Sequence, residues 1–229
     1  MDKTQPHMKS RPWVGPNSKF PLLIALLGIG SFVFFYIMAA LNYPGGSWVF
    51  PNKKGFSFWH NYLCDLLDSY AINGELNTAQ FYAIAALGSL CIGLFWLWFY
   101  LPRLFETKSF NLKIMKISGL ISLIIIFFLA SGNHDTIVRI AGFFGVIAFI
   151  TCSIELFKAD YLNLSLLGVL CLVIFLINYY IYETGFFTES LPVIQKITFV
   201  VFIIWFISLD VALYRSLALR KKPSTVKTP

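Results

Sequence analysis

Charged residues are scarce in this sequence: they make up 13% of the chain, whereas 58% of the residues are hydrophobic and 18% are aromatic. A soluble globular domain usually carries about 25% charged residues, roughly twice this share. The chain therefore lacks the polar residues that a water-exposed surface needs. This composition excludes an ordinary soluble protein and indicates a chain whose surface faces lipid.

Cysteine and histidine are also scarce, with four and three residues in the chain. Cys91, Cys152 and Cys171 lie in apolar runs, where cysteine acts as a small packing residue. Only Cys64 lies outside them, so no disulfide framework is predicted. The sequence has no HxxxH, HExxH or CxxC spacing, no GxSxG motif and no glycine-rich phosphate loop. The usual signatures of metalloenzymes, serine hydrolases and nucleotide-binding proteins are therefore missing.

The apolar residues are gathered into six blocks of about 20 residues, the length that crosses a hydrocarbon core of roughly 30 Å. Backbone amides in lipid must be hydrogen-bonded within their own segment, so these blocks are predicted to be helices. The alternation of β-barrel strands is not seen. The sequence thus predicts an all-α, polytopic membrane protein, with one six-helix transmembrane domain over 20–216 between tails at 1–19 and 217–229. The predicted spans are Phe20–Leu41, Ala79–Leu101, Leu112–Ala130, Asp135–Phe157, Leu162–Tyr182 and Pro192–Tyr214.

Two of the predicted spans carry small residues at helical spacing, which lets helices approach closely in lipid. These residues are Ala85, Ser89 and Gly93 in the second span and Ala141, Gly145 and Ala148 in the fourth. The two halves of three spans do not resemble each other, so the inverted repeats of many transporters are not indicated.

The net charge of +7 comes from basic residues concentrated on one side of the predicted membrane. The two tails and the connection after the second span hold most of them, whereas the other side has only Lys53, Lys54, Arg139 and Lys196. Basic residues near span ends stay cytoplasmic. The pattern predicts a multi-pass protein of the cell (inner) membrane with both termini in the cytoplasm. Membrane lipids are the expected partners; no nucleic-acid partner is indicated, and the oligomeric state is unknown from the sequence.

The predicted outer loop, residues 42–78, is much longer than the 2–8 residues that usually connect helices in a bundle. It opens with the turn signal Tyr43-Pro44-Gly45-Gly46. Over Phe56–Tyr70, large apolar residues recur at a spacing of about 3.6. This periodicity predicts an amphipathic helix that lies on the outer membrane surface or caps the bundle.

Most of the candidate site residues also lie on the predicted outer side. Ionisable groups at membrane depth are costly and therefore indicate a function. Six side chains are candidates for catalysis or for binding: His60, Asp65, Asp68, His134, Asp135 and Glu183.

Some of these candidates also have a purely structural interpretation. Asn133 is a good N-cap for the fourth span, and Asp135 in its first turn suits the positive end of the helix dipole. Asp135 also stands four residues before Arg139, a spacing that predicts an ion pair. Glu183 is either solvated or faces Lys196. Near the other membrane face, Glu155 and Asp210 have Lys158 and Arg215 close by in sequence.

A divalent metal is a possible cofactor of this outer site. Imidazole and carboxylate ligands suit zinc or a similar ion. His60 and Asp65 lie about 140° apart on a regular helix, so they cannot easily hold one ion together. A site would instead combine His60 or Asp68 with His134, Asp135 or Glu183 from neighbouring spans.

Several short motifs occur in order along the chain: Tyr43-Pro44-Gly45-Gly46, the run from Asn61 to Leu66, His134-Asp135, and Leu191-Pro192-Val193-Ile194-Gln195-Lys196 followed by Trp205. This pattern resembles uncharacterised bacterial six-span membrane proteins grouped loosely with the Frag, DRAM and Sfk superfamily. The resemblance implies a lipid-related role at the outer leaflet. It implies no catalytic residues, because the group has no established catalytic motif to carry over.

Three functions therefore stay open at the level of sequence. The first is recognition or organisation of lipid by the outer face, without chemistry. The second is a membrane-embedded enzyme, with or without a metal ion, that acts on a lipid or lipid-linked substrate. In it, His60 or His134 acts as a base or metal ligand beside an acidic partner. The third is a transporter, which is disfavoured because the middle of each span is nearly free of charge.

Overall fold

The fold is described from a computed structural model, which defines residues 20–106, 108–131 and 134–219 of the 229-residue chain. Within these residues the predicted all-α fold is confirmed, with six long α-helices joined by turns and short 3₁₀ helices. Each long helix is apolar and long enough to cross a membrane. The protein is therefore a multi-pass membrane protein. Its helices are α1 Phe20–Asn42, α2 Gln80–Tyr100, α3 Phe110–Ile126, α4 His134–Lys158, α5 Leu162–Thr184 and α6 Leu191–Leu219.

The six helices pack in sequence order, and α6 also packs against α1, which closes the bundle. Consecutive helices run antiparallel: Asn111, at the start of α3, donates a hydrogen bond of 2.9 Å from Nδ2 to Oε1 of Glu155, near the end of α4. The bundle therefore has two distinct ends. The loop end carries residues 43–79, and the tail end is the opposite one, where α6 ends at Leu219.

Aromatic side chains from three helices form the centre of the core. The rings of Phe149 and Trp205 stack with centroids 4.6 Å apart, and Trp98 lies 6.3 Å from Trp205. The indole Nε1 of Trp98 donates to the carbonyl of Met115 at 2.8 Å, and that of Trp205 donates to the carbonyl of Leu164 at 2.9 Å. Buried indole N–H groups need such partners. These two bonds also tie α2 to α3 and α6 to α5.

Three of the small residues predicted to lie between helices, Gly93, Ala141 and Gly145, do lie there. A Cβ added to Gly28 of α1 would stand 2.7 Å from the Cα of Gly93 in α2, so only glycine permits this approach. In α4, a Cβ on Gly145 would stand 3.3 Å from Oγ of Ser122, and that hydroxyl donates to the carbonyl of Ala141 at 2.8 Å. Close packing of small residues therefore joins α1 to α2 and α3 to α4.

The loop between α1 and α2 is folded, but not as the predicted amphipathic helix. Of the stretch Phe56–Tyr70, only Cys64–Leu66 is helical, as a single 3₁₀ turn. The physical reason is that polar side chains compete with helical hydrogen bonds for the backbone N–H groups. Oδ1 of Asn61 accepts the N–H of Ser57 at 2.8 Å, and Oδ2 of Asp65 accepts the N–H of Tyr62 at 2.9 Å. Short polar side chains that bond nearby amides favour turns over helix.

Buried polar and apolar contacts make this loop a compact cap. Nδ2 of Asn77 lies within hydrogen-bonding distance of three loop carbonyls, the closest being that of Asp68 at 2.7 Å. The hydroxyl of Tyr43 accepts the N–H of Ile72 at 3.1 Å. Beneath these bonds, Leu66 is fully buried in a small apolar cluster formed by the loop and the adjoining ends of α1 and α2. The loop is therefore part of the folded domain.

The two acidic residues expected near basic partners at the tail end behave differently. Glu155 is buried and pairs with Lys158 at 3.1 Å, as predicted. Asp210 is 1% exposed, and neither of its carboxyl oxygens has a hydrogen-bond partner. No ion pair between Asp210 and Arg215 forms among the residues that the structure describes, because Asp210 points into the core while Arg215 is exposed.

Candidate functional site

Lys196, near the start of α6, anchors the loop between α1 and α2. Its side chain is buried, and Nζ donates to the carbonyl of Asn61 at 2.6 Å and to that of Pro192 at 2.9 Å. The same nitrogen lies 5.1 Å from the ring centroid of Phe58 and 5.5 Å from that of Phe56. Backbone carbonyl dipoles and ring faces both favour a cation. The lysine expected to face Glu183 therefore holds the loop instead.

Asp65, a predicted site residue, lies inside the cap. It is 5% exposed, and its Oδ2 accepts hydrogen bonds of 2.9 Å from Nδ2 of Asn61 and from the N–H of Tyr62. Burial raises the pKa of Asp65, although these two hydrogen bonds and the charge of Lys196 oppose the rise. A carboxyl held in this way organises the loop and does not reach a substrate.

Two neighbouring residues complete this buried network. Nδ2 of Asn61 also donates to the carbonyl of Gly46 at 2.7 Å, and Asn61 is fully buried. Oε1 of Gln195, beside Lys196, accepts the N–H of Leu63 at 2.8 Å. The run from Asn61 to Leu66 and the Gln195-Lys196 pair, both singled out in the sequence, thus meet in space. The sequence does not reveal that they bind each other, because 132 residues separate Leu63 from Gln195.

A second group, on the surface of the loop end, joins the loop to α4 and α5. His134 and Asp135 begin α4, with 3.6 Å between Nδ1 and Oδ1. The hydroxyl of Tyr182, on α5, donates to Asp135. Asp68 of the loop lies within electrostatic reach of His134, whose charge lowers the pKa of Asp68, while burial raises that pKa more strongly. Of the predicted site residues, the structure therefore brings His134 and Asp135 into contact, with Asp68 within electrostatic range of His134.

Tyr182 belongs to this surface group but was not among the candidate site residues named from the sequence. The signal that could have identified it is its position one residue before Glu183, at the end of the same span as Asn178 and Tyr179. Its pairing with Asp135 depends on how α4 and α5 cross, which no local pattern encodes.

Arg139 and Glu183 form a two-pronged ion pair between α4 and α5. Nε lies 2.9 Å from Oε1, and Nη2 lies 3.1 Å from Oε2. The predicted pair between Arg139 and Asp135 on one helix is therefore wrong. Glu183, for which solvation and contact with Lys196 were the two alternatives, pairs with Arg139 instead. A guanidinium matches a carboxylate with two parallel bonds, which favours the contact across helices over a single contact along one helix.

His60 stands apart from the surface group. Its Nδ1 lies 3.0 Å from Oγ of Ser57, and its ring meets the ring of Phe50 edge-on with centroids 4.9 Å apart. Both partners belong to the loop. Within the described part of the chain, no three His, Cys, Asp or Glu side chains are grouped so that they could hold a metal ion. The predicted combinations of metal ligands are not assembled there.

Cys64 lies near both Asp65, in the buried network, and Asp68, in the surface group. Burial, together with the nearby carboxylates of Asp65 and Asp68, raises the pKa of this thiol to about 12. A thiol acts as a nucleophile only after it has lost its proton. Cys64 is therefore not an activated nucleophile at neutral pH.

Large apolar side chains project from the same end of the bundle. Aromatic residues with a polar atom favour the membrane–water interface, where one edge meets lipid and the other meets water. The loop contributes exposed tryptophan and tyrosine of this kind, and both the loop and the connection between α5 and α6 contribute exposed phenylalanine, which is purely apolar. The exposed aromatic side chains are those of Trp48, Phe50, Phe58, Trp59, Tyr70, Phe186 and Phe187.

Comparisons of the chain with protein-family models, with curated proteins and with solved structures give no match. The function is therefore inferred from the geometry of the loop end.

Proposed function

We propose that the protein recognises or organises membrane lipids at the loop end, and that this end faces away from the cytoplasm. One observation carries the proposal: a cap locked to α6 by Lys196 displays exposed aromatic side chains such as Trp59 at the same end of the bundle as the polar residues Asp68, His134 and Asp135. Apolar anchors beside a polar cluster suit a molecule that has both an acyl and a headgroup part.

The cap provides this surface in a preorganised form. Asn61, Asp65 and Asn77 are buried and hydrogen-bonded within the loop, so the display of its aromatic side chains needs no further folding. Binding to a surface that is already ordered avoids the entropy cost of immobilising a loop. A structured cap therefore binds lipid more favourably than a loop that must fold on its ligand.

The charges of the surface group favour a headgroup that carries an ammonium. Asp68 is exposed, and Asp135 is 65% exposed, so both carboxylates reach the aqueous side of the interface. The nearby cation of Arg139 is already paired with Glu183. A phosphatidylethanolamine headgroup supplies an ammonium for these carboxylates and a phosphate for His134.

The orientation is supported by the distribution of basic residues. The tail end, with the adjoining sequence, carries Arg103, Lys108, Lys113 and the basic run Arg220-Lys221-Lys222. Such residues are retained on the cytoplasmic side. On this basis the loop end is extracytoplasmic, and its ligand belongs to the outer leaflet.

The test compares retained lipid by native mass spectrometry of the full chain released from detergent. Phosphatidylethanolamine is expected to remain bound, and Asp68→Asn is expected to weaken its retention about tenfold, as for the loss of one charge-assisted hydrogen bond. Glu75→Gln is the matched control, because Glu75 is an exposed acid of the same loop outside the surface group. Equal retention by wild type, Asp68→Asn and Glu75→Gln would contradict the proposal.

A second candidate function is catalysis on a lipid or lipid-linked substrate. The observation that favours it is the contact of His134 with Asp135, which is itself bonded to Tyr182. An imidazole oriented by a carboxylate is a common general base. Incubation with membrane lipid extract, followed by mass spectrometry of the products, tests this function. A product that wild type forms and that His134→Ala and Asp135→Asn do not form would make catalysis the leading function.

A further inference from the structure

A groove between α5 and α6 lies near the tail end, far from the surface group. Its volume is about 450 Å³, within the range of roughly 300–1,000 Å³ typical of small-molecule sites. The side chains of Leu164, Ile207 and Val211 make its deeper part apolar, whereas Tyr161, Arg215 and Ser216 bring polar atoms to it.

The arrangement of these residues follows from the helical period. Ile207, Val211 and Arg215 are spaced by four residues and share one face of α6. With a rise of about 1.5 Å per residue, Arg215 lies about 12 Å beyond Ile207 towards the tail end. The opposite face carries Leu209 and Leu213, which are buried in the core. The groove is therefore apolar towards the middle of the bundle and basic at its tail-end rim.

Arg215 is available to a ligand. It is exposed, and no hydrogen bond or ion pair of its side chain is found among the residues that the structure describes. Lys158, a basic residue on the neighbouring helix, is by contrast paired with Glu155. A guanidinium offers two parallel N–H donors, which match the oxygens of a phosphate.

We propose that this groove binds one anionic phospholipid. An acyl chain lies against Leu164, Ile207 and Val211, and the phosphate is bound by Arg215, with the hydroxyls of Tyr161 and Ser216 as further donors. Two features argue for an anionic lipid over a zwitterionic one: the rim cation has no carboxylate beside it within the groove, and the sequence continues with Arg220-Lys221-Lys222. Basic pockets between membrane helices favour anionic headgroups in this way.

This inference does not depend on the function proposed for the loop end, because the two sites lie at opposite ends of the bundle. Variants of Asp68 leave the groove unchanged, and variants of Arg215 leave the surface group unchanged. Failure of one proposal therefore says nothing about the other.

The experiment compares phosphatidylglycerol with phosphatidylcholine of identical acyl chains, by native mass spectrometry of the full-length protein. Phosphatidylglycerol is expected to be retained preferentially, and Arg215→Ala is expected to reduce its retention about tenfold. Lys113→Ala is the matched control, since Lys113 is an exposed cation at the same end of the bundle but lies on α3. This control is expected to retain phosphatidylglycerol as wild type does.

A second variant tests the position of the acyl chain. Ala212→Phe adds bulk to the groove without changing charge, so the retention of both lipids is expected to fall. A thermal melt of each variant checks that the bundle is intact. Equal losses for Arg215→Ala and Lys113→Ala would show a nonspecific charge effect and overturn the proposal. Unchanged retention in a folded Ala212→Phe variant would overturn it as well.

Discussion

The ammonium nitrogen of Lys196 lies 2.6 Å from the backbone carbonyl oxygen of Asn61, a residue 135 positions earlier in the chain. This bond joins the start of α6 to the centre of the loop that follows α1. No carboxylate forms an ion pair with Lys196 among the described residues; its hydrogen bonds go to the carbonyls of Asn61 and Pro192. A buried cation therefore holds the cap in place by binding backbone.

Replacing Lys196 with methionine is expected to destabilise the cap. Methionine keeps much of the length and the apolar stem but cannot donate, so the carbonyl of Asn61 loses its partner in a buried site. Unsatisfied buried groups of this kind cost roughly 1–3 kcal/mol each. The measurement is the midpoint of thermal unfolding in detergent, followed by intrinsic fluorescence, together with the rate of proteolysis within the loop.

The control for this experiment is Lys53→Met. Lys53 is an exposed lysine of the same loop, so its replacement is expected to leave the midpoint almost unchanged. A Lys196→Met variant that melts and resists protease like Lys53→Met would show that the bond to Asn61 contributes little to the stability of the cap.

Cys64 is expected to react slowly with alkylating reagents. The pKa of Cys64 is about 12, whereas an ordinary thiol has a pKa of 9.0. Each unit of pKa changes the thiolate fraction about tenfold, so at pH 8 Cys64 has roughly a thousandth of the thiolate of an ordinary thiol. Iodoacetamide labelling at pH 8, read by peptide mass spectrometry, measures this rate. The same peptide from unfolded protein provides the reference. Labelling of the folded protein at the reference rate would be incompatible with a buried, protonated thiol.

The stability of the cap is expected to depend on pH through Asp65. Burial raises the pKa of Asp65 above its ordinary value of 3.8, so the folded state binds this proton more tightly than the unfolded state does. The contribution of Asp65 to folding stability therefore falls as pH rises from the ordinary value through the raised one. Asp68 also has a raised pKa and contributes to the same decrease of folding stability with rising pH.

The variant Asp65→Asn shows how much Asp65 contributes to this dependence of folding stability on pH. Its amide oxygen still accepts the hydrogen bonds of Asn61 and Tyr62, but it does not titrate. Melting midpoints of wild type and variant are compared between about pH 4 and pH 8, a range that begins near the ordinary pKa. The midpoint of the variant is expected to rise relative to that of wild type as pH increases. A difference that stays constant across the range would refute a raised pKa at Asp65.

Gly119 is expected to tolerate no side chain. A Cβ at this position of α3 would lie 1.8 Å from Nε1 of Trp98, the atom that donates to the carbonyl of Met115. Gly119→Ala must therefore displace the indole or part α2 from α3, and overpacking of a core typically costs about 1–3 kcal/mol. The change is measured as a lower melting midpoint in detergent.

Gly30→Ala is the matched comparison within α1. A Cβ there meets no atom within 4 Å. Alanine is a better helix former than glycine by about 1 kcal/mol, so this variant is expected to be neutral or slightly stabilising. If both alanine variants shifted the midpoint equally, the close contact between Gly119 and Trp98 would have no energetic importance.

Much of the fold could be predicted from the sequence, because its signals are local. The six spans follow from blocks of apolar residues, and the observed helices differ from the predicted spans by a few residues at their ends. Gly93 and Gly145 were identified as helix contacts because close packing in lipid requires small side chains. The proximity of Glu155 and Lys158 could also be predicted, because they lie three residues apart on one helix.

The candidate site was predicted less completely. His134 and Asp135 are in contact at the loop end, with Asp68 in electrostatic range of His134, whereas His60 and Asp65 have other neighbours. Asp65 lies inside the cap because its carboxylate binds the backbone of the loop, and this bond also breaks the helix that apolar periodicity predicted. The predicted partner of Arg139 was wrong, because the choice between the carboxylates of Asp135 and Glu183 depends on how α4 and α5 cross.

The sequence by itself determined that the chain forms six membrane helices, since the cost of exposing backbone amides and polar side chains to lipid depends on composition within each segment. Only the tertiary structure decided which partners the polar side chains at the loop end have. Lys196 meets Asn61, Tyr182 meets Asp135, and Arg139 meets Glu183 across separate elements of the fold. These contacts depend on distances between residues remote in the chain, which are set by the packing of the whole bundle and not by any local pattern.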